Sequence, residues 1–343
     1  MKPQVIAADL HPKYNSTLVA EKLAEERGIP LLRVQHHYAH VLSCMAENDY
    51  LEPVIGVSFD GTGFGTDDTV WGGEFLLSDI GHFERGGHIA PFWQIGGDIA
   101  AREGWRIAVS MLQQIFGAGA DDIIRRLGLC DDRAAGALKV LFARKINAVQ
   151  STSAGRLFDA VSAILGIRRA STYEGEAATA LMYSAMRGRA HAAGSLTSLT
   201  EPCQSGDSLA QNRQAVETGG QPQPDVLPTD SFVRALALAK LDGAGSEELA
   251  YEFHRGLAQM IVQETVSLCE RTGMKTAALT GGVFQNRLLL ELVEKGLQAE
   301  GIQVLRHHLV PPNDGGIALG QALYAMAALG QENGRKPPAE QRS

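Results

Sequence analysis

The spacing of apolar positions divides the chain into alternating strands and helices. Short apolar runs bounded by turn residues read as buried strands, and runs with a three-to-four-residue period read as helices. Residues 3–10 (PQVIAADL) predict a strand, and residues 16–27 (STLVAEKLAEER) a helix that Ser16 can cap and Gly28 can stop. Residues 31–34 predict a second strand and residues 36–48 a second helix. Residues 53–59 and 70–77 read as a hairpin, with the turn-rich DGTGFGTDDT between them. Helices are expected over 98–116, 121–127, 134–145, 157–166 and 175–187. Residues 190–228, rich in Gly, Ser, Gln and Pro, show no sustained period and read as a mobile insertion. A long helix (246–272), a strand (275–280), the Gly281-Gly282 turn, a helix (286–300), a strand (302–305) and a last helix (315–329) follow, ahead of a frayed tail. This order implies an α/β protein. Two strand–glycine-turn units, near residues 60 and 281, suggest two related lobes closing on a cleft.

Composition narrows the class. The chain has 343 residues, enough for two lobes, with 45% hydrophobic and 20% charged residues. A net charge of −8 argues against a surface built to hold nucleic acid. Its four cysteines, Cys44, Cys130, Cys203 and Cys269, form no CxxC pair, which fits free thiols in a reducing cytoplasm. No apolar run approaches the ~18 residues that would suggest a membrane span.

The chemistry concentrates in a few motifs. In VQHHYAHVLSC, His36 and His40 stand four apart and share one helix face, a spacing that lets two imidazoles grip one metal ion. The pair alone is near chance frequency, His37 points elsewhere, and Cys44 reads as a core residue. Carboxylates at strand ends would complete a site: Asp60, otherwise a turn residue, and Asp314, otherwise a helix cap. Two histidines with one or two aspartates suit iron or zinc. Asp60-Gly61-Thr62-Gly63 could bend backbone N–H groups toward a phosphate, or form a plain hairpin tip. Gly281 and Gly282, before a helix start at Asn286, would let a nucleotide approach the backbone. Asp159 could hold ribose hydroxyls, or be a solvent-facing helix carboxylate.

In order along the chain, HHxAH, FDGTGFGxD…WGGE, PFxxxGGDxAxREGWRxA, TSAGRLFDAV, YEGEAA, TGGVFQNRLL and PPNDGGIALGQ together resemble the C-terminal, Kae1-like half of the hydrogenase-maturation carbamoyltransferases of the HypF family. Their relatives are tRNA threonylcarbamoyl transferases and antibiotic O-carbamoyltransferases. The resemblance covers nearly the whole chain apart from the insertion and tail. It implies a two-lobed, actin-like ATPase (ribonuclease H-like) fold with a nucleotide in a central cleft. The first lobe would span 1–98, with the 315–330 helix packing back on it; the second would span 99–314, and the tail 331–343.

It further implies that carbamoyl-adenylate, formed from ATP, is bound and that its carbamoyl group passes to the C-terminal cysteine of a HypE-like partner. His36, His40, Asp314 and Asp60 match the family's metal residues. Gly61, Thr62 and Gly63 fall at its phosphate or carbamoyl loop, and Asp159, Gly175, Glu176, Gly282 and Asn286 at its nucleoside contacts. Arg102 and Arg106 would face the same cleft. Full-length family members carry acylphosphatase, Cys-rich and YrdC-like domains ahead of this half, and none fits within these residues. The expectation is that the chain alone does not form carbamoyl-adenylate. Two rival readings stay open: a tRNA threonylcarbamoyl transferase-like enzyme, and a nucleotide-binding scaffold without chemistry.

Overall fold

The computed structural model describes residues 2–192 and 223–332. In chain order the strands are β1 (Ile6–Asp9), β2 (Leu31–Val34), β3 (Val54–Phe64), β4 (Val70–Ser78), β5 (Phe83–Ile89), β6 (Phe92–Ile95), β7 (Ala148–Ser151), β8 (Asp225–Leu227), β9 (Thr276–Thr280) and β10 (Gln303–Arg306). The helices are α1 (Asn15–Arg27), α2 (His36–Glu47), α3 (Gly104–Phe116), α4 (Ala120–Arg126), α5 (Asp132–Arg144), α6 (Ala154–Ile164), α7 (Glu176–Ala192), α8 (Thr229–Leu241), α9 (Ser246–Thr272), α10 (Arg287–Ala299) and α11 (Ile317–Glu332). The chain forms two compact units, Met1–Gly86 with Thr265–Gln285 and Leu297–Ser343, and Gly87–Glu264 with Asn286–Gly296. The expected first lobe of 1–98 with the 315–330 helix packing back is extended here by β9 and β10, which complete the sheet begun by the N-terminal residues.

In the first unit β1 and β2 pair in parallel around α1. Gly28 stops α1 in the left-handed conformation, φ +61°, as expected. The expected cap does not form: Ser16 lies inside the helix, and Tyr14 stands at the N-cap position with no side-chain cap bond. The main sheet of this unit runs β10-β9-β3-β4, with β10–β9 and β9–β3 parallel and β3–β4 antiparallel. Parallel pairing puts the ends of β3 and β9 side by side, with Ser58 opposite Thr280. The glycine segment that follows Asp60 and the Gly281-Gly282 turn therefore lie side by side in one unit, which corrects the reading of one turn per lobe. The 60–64 stretch is also not a hairpin tip. Strand β3 continues to Phe64, its register against β4 slips between Phe59 and Gly63, and the turn is made by 65–69, closed by Gly65 N–H donating to Thr69 O at 2.9 Å.

Helix α2 is buried without a break from His36 to Met45, so it is a core helix rather than an amphipathic one. Gln35 caps it, its Oε1 accepting Tyr38 N–H at 2.9 Å. Tyr38, Val41, Leu42 and Met45 pack with Trp71 and Leu305 to form the core, and Cys44 is fully buried among them. Helix α11 lies against α2 so closely that a Cβ at Gly320 would stand 1.9 Å from Ala39 O. Ser43 Oγ donates to Gly316 O at 2.8 Å near the start of the same contact.

In the second unit β6 pairs antiparallel with β7, and the Gly87–Ile89 end of β5 pairs in parallel with β8. Helix α6, buried throughout, is capped by Ser153, whose Oγ accepts Arg156 N–H at 3.0 Å. Strands β5 to β8 and helix α8 have no counterpart in the sequence reading. These strands are short, and most find their partners far along the chain, where local periodicity carries no information. The helix expected from residue 98 begins only at Gly104. Gly96 (φ +107°) and Gly97 (φ +61°) turn the chain first into a 3-10 segment, Gly97–Ala101. The expected insertion falls largely on 193–222, and the tail on 333–343, both outside the described residues; Asp225–Leu227, at the insertion's end, is ordered as β8.

The α2–α11 contact generates a stability prediction. Gly320→Ala sets a methyl against the Ala39 carbonyl and destabilises the fold by about 1–3 kcal/mol, read as a lower urea midpoint with unchanged m-value.

Candidate metal centre

Helix α2, the end of β3 and the turn before α11 bring His36, His40, Asp60 and Asp314 together, with one donor atom from each lying within 4.8 Å of all the others. His36 Nε2 is 3.2 Å from Asp60 Oδ2 and 3.6 Å from Asp314 Oδ1. His40 Nε2 is 3.6 Å from each of the same two oxygens. Four donors at metal bond lengths of about 2.0–2.2 Å stand about 3.3–3.6 Å apart on a tetrahedron. His40 Nε2 is buried and makes no hydrogen bond among the described residues, although it is aimed at two carboxylates. Those separations, that unsatisfied nitrogen and the mixed imidazole–carboxylate donor set fit a divalent cation.

Each donor is oriented from behind. His36 Nδ1 donates to Asp9 Oδ2 at 2.8 Å, which leaves Nε2 facing the cluster. Gly282 N–H donates to Asp60 Oδ1 at 2.9 Å, which leaves Oδ2 facing the histidines. Gly281, at φ +93°, allows that turn: a Cβ there would sit 2.2 Å from Phe59 O. Gly63 is required by the histidines themselves, since a Cβ would sit 2.4 Å from His37 Cε1 and 2.8 Å from His36 Cδ2. Asn313, not Asp314, caps the following turn, with its Oδ1 accepting Gly315 N–H, so the Asp314 carboxylate is left to the cluster. The side chains of His36, His40 and Asp60 are at most 9% exposed, whereas that of Asp314 is 73% exposed, and the centre opens on its side.

The charges hold one another. Burial pushes the His36 imidazole down, but contacts with Asp314, Asp60 and Asp9 outweigh it and hold the ring well above the ordinary histidine range. His40 is raised in the same way, burial being outweighed by Asp314 and Asp60. Burial alone would raise Asp60; His36 and His40 instead hold it well below the usual carboxylate range. Contacts with the same histidines lower Asp314. His37, pushed well down by burial and by His36, is a neutral packing residue with Nδ1 3.2 Å from Gln35 Nε2.

Of the residues expected at a nucleotide, Gly282 bonds to this cluster through Asp60, and several others have partners of their own. In the first unit, Gly61 and the exposed Thr62 follow Asp60 where β3 slips out of register. In the second unit Asp159 is buried rather than solvent-facing, and its Oδ2 pairs with Arg156 Nη2 at 2.9 Å. Burial pushes its carboxyl up to about 6 against the lowering effect of Arg156. Gly175, at φ +75°, turns the chain into α7. Glu176 Oε2 accepts the Thr172 N–H at 2.6 Å, and Oε1 pairs with Arg168, so this carboxylate braces its own loop. Asn286 Oδ1 accepts Leu289 N–H at 3.1 Å, and its Nδ2 lies 2.8 Å from His254 Nε2. His254 Nδ1 is bonded to Ala250 O, and its ring stands edge-on to Phe158, next to Asp159. Arg106 pairs with Glu103 and lies over Trp105.

Comparison with known proteins follows the same motifs. Residues 56–321 match the family model "Carbamoyltransferase, Kae1-like Domain, second subdomain", and residues 1–47 match "HypF Kae1-like domain". The chain belongs to the HypF carbamoyltransferase family. A HypF homolog of Cupriavidus necator is 39% identical over 94% of this chain and 77% of its own length. The HypF of Rhodobacter capsulatus is 38% identical over 96% of this chain and 40% of its own. A full-length HypF crystallised in phosphate- and nucleotide-bound form superposes with a TM-score of 0.80 at 30% identity, over 96% of this chain and 39% of that one. The chain thus shares the α/β fold of HypF, and it spans about two fifths of the length of several HypF relatives. Among the described residues no helix is long and apolar enough to cross a membrane.

Sequence reasoning missed Asp9, which stands at a strand end in ADLHP as Asp60 does in FDGTG, and the same logic would have found it. It also missed His254, Glu47 and His307, whose roles depend on partners that local sequence does not reveal.

The charge pattern generates a pH prediction. His36 and His40 are raised above the ordinary value of 6.5, so the stability they contribute is fully present below pH 6.5 and is lost as pH rises through their folded values. Asp60 and Asp314 are lowered from 3.8, so theirs is present above pH 3.8 and lost as pH falls through their folded values. The metal-free chain is expected to lose urea stability above pH 6.5, with a shallower alkaline decline in Asp60→Asn. A pH-independent midpoint between 6 and 9 contradicts this.

Proposed function

We propose that the chain is a carbamoyl-transfer module: it binds carbamoyl-adenylate beside a divalent metal, iron or zinc, and passes the carbamoyl group to the C-terminal cysteine thiolate of a HypE-like partner. The observation that carries this reading is the convergence of His36, His40, Asp60 and Asp314 in a chain of the HypF family. The nucleotide in the full-length HypF crystal supports a nucleotide site here, to which we assign Asp159, Gly175, Glu176, Gly281, Gly282 and Asn286.

When bound, the metal supplies a Lewis acid for the carbamoyl carbonyl. The protein's own residues do the rest. Asp9 keeps His36 in the tautomer whose Nε2 faces inward. Gly282 fixes Asp60 in the same way. The Gly61–Thr62–Gly63 backbone, where β3 slips register against β4 before pairing again at Gly63, is assigned to the developing oxyanion, where N–H donors act on the transition state. In the transfer a C–S bond to the partner forms as the C–O bond to the adenylate phosphate breaks. AMP leaves, and the acceptor thiol gives up its proton before attack. No cysteine of this chain is required, consistent with the burial of Cys44, whose thiol is pushed far up by that burial.

Two measurements test the proposal. Zinc titration of the metal-free chain at pH 7 is expected to release protons, because His36 and His40 must give theirs up; His36→Ala and His40→Ala are expected to abolish high-affinity binding. Given carbamoyl-adenylate and a HypE-like partner, the chain is expected to carbamoylate the partner's terminal cysteine, and Asp314→Ala to slow this by about 10²–10³-fold. Wild-type rates in Asp314→Ala would sink the assignment, and modification of tRNA instead of the cysteine would favour the threonylcarbamoyl alternative.

A further inference from the structure

The turn that carries Asp314 begins where β10 ends, and apolar packing does little to hold its first residues: Leu309 is 92% exposed. Polar bonds from α2 hold it instead. Glu47, the last residue of α2, has a side chain only 6% exposed. Its Oε1 accepts the N–H groups of three successive residues, His308 at 2.7 Å, Leu309, and Val310 at 3.2 Å. Its Oε2 meets His307 Nδ1 at 2.9 Å. The other ring nitrogen, His307 Nε2, lies 2.8 Å from Thr280 Oγ1, which is also 3.1 Å from the backbone oxygen of His40. Asn48 adds a bond from the same helix end to Arg306 O at 3.1 Å.

A continuous chain of polar contacts therefore links the 307–310 turn, through His307 and Thr280, to the residue that carries one imidazole of the metal centre. Pro311 and Pro312, with fixed φ, stiffen the few residues between this anchor and Asp314. Gly281 N–H, beside the Asp60 contact, donates to Pro312 O at 3.0 Å. Glu47 thus ties the loop bearing Asp314 to the helix bearing both histidines.

We infer that Glu47, acting through His307 and Thr280, is a positioning residue that sets the metal affinity of the centre by holding Asp314 at its distance from His36 and His40. The inference rests on the metal reading above. Residues that orient metal ligands typically change affinity by about 10–100-fold when removed.

Competition titration of zinc(II) against a chelator, on the full chain, tests it alongside the melting temperature of the metal-free protein. Glu47→Ala is expected to weaken zinc binding at least tenfold. Glu47→Gln is expected to stay within about threefold of wild type. It keeps an oxygen for the three N–H groups and turns an amide N–H toward His307 Nδ1, which a neutral imidazole can accept. A role in stability alone would lower the melting temperature of Glu47→Ala without changing zinc affinity in the folded protein, and that result overturns the inference. So does a Glu47→Gln variant as weak as Glu47→Ala. If Glu47→Ala does not fold, the near-isosteric Thr280→Val decides: weakened binding supports the inference and wild-type affinity overturns it. His36→Ala is the control that separates the two readings. If it binds zinc as tightly as wild type, the metal reading fails and this inference with it. If it loses zinc while Glu47→Ala retains it, only the positioning role fails.

Discussion

A buried carboxylate within a central strand constrains most of what surrounds it. Asp60 is 6% exposed, and an ionised carboxylate so placed is strongly destabilising unless each oxygen is satisfied. One oxygen takes the Gly282 N–H and the other faces two imidazoles. The first bond requires β9 to lie beside β3 in parallel and the chain to turn sharply at Gly281, where no side chain fits. The second requires α2 to present His36 and His40 to the same point and β3 to carry glycine at 63, where a side chain would strike them. Sheet order, glycine placement and helix register are thus jointly fixed by one charge.

The centre is asymmetric, and the asymmetry is informative. Three donors sit on rigid elements and are buried; the fourth, Asp314, stands on a turn and is open to solvent. Closure of the set depends on how firmly that turn is anchored to α2. The anchoring is polar, through Glu47, Ser43 and Asn48, and close packing of α11 on Ala39 through Gly320 reinforces it.

The second unit repeats the pattern of motif residues braced by neighbours. Asp159 is held by Arg156, and its carboxyl is raised by burial into a range where it can gain a proton near neutral pH. The Asn286 amide is oriented by His254, whose own tautomer is set by Ala250 O: with Nδ1–H donated there, Nε2 can only accept.

The sequence alone determined the elements with strong local signals: the 246–272 helix, the α1 stop at Gly28, and the helical face shared by His36 and His40. A 3.6-residue repeat and a left-handed glycine are properties of a few adjacent residues, so they survive without knowledge of the fold. The ordered motifs likewise sufficed to identify the family, because seven short patterns in series carry more information than any one. Only the tertiary structure decided that the glycine segment after Asp60 and the Gly281-Gly282 turn lie side by side, that β3 runs on through Phe64, that Asp9 bonds to His36, and that Glu47 bonds to His307 and the residues after it. Most depend on pairings between residues far apart in the chain, 27 positions for Asp9 with His36 and 260 for Glu47 with His307, set by strand pairing and by the need of buried polar groups for partners. Local periodicity has no access to either.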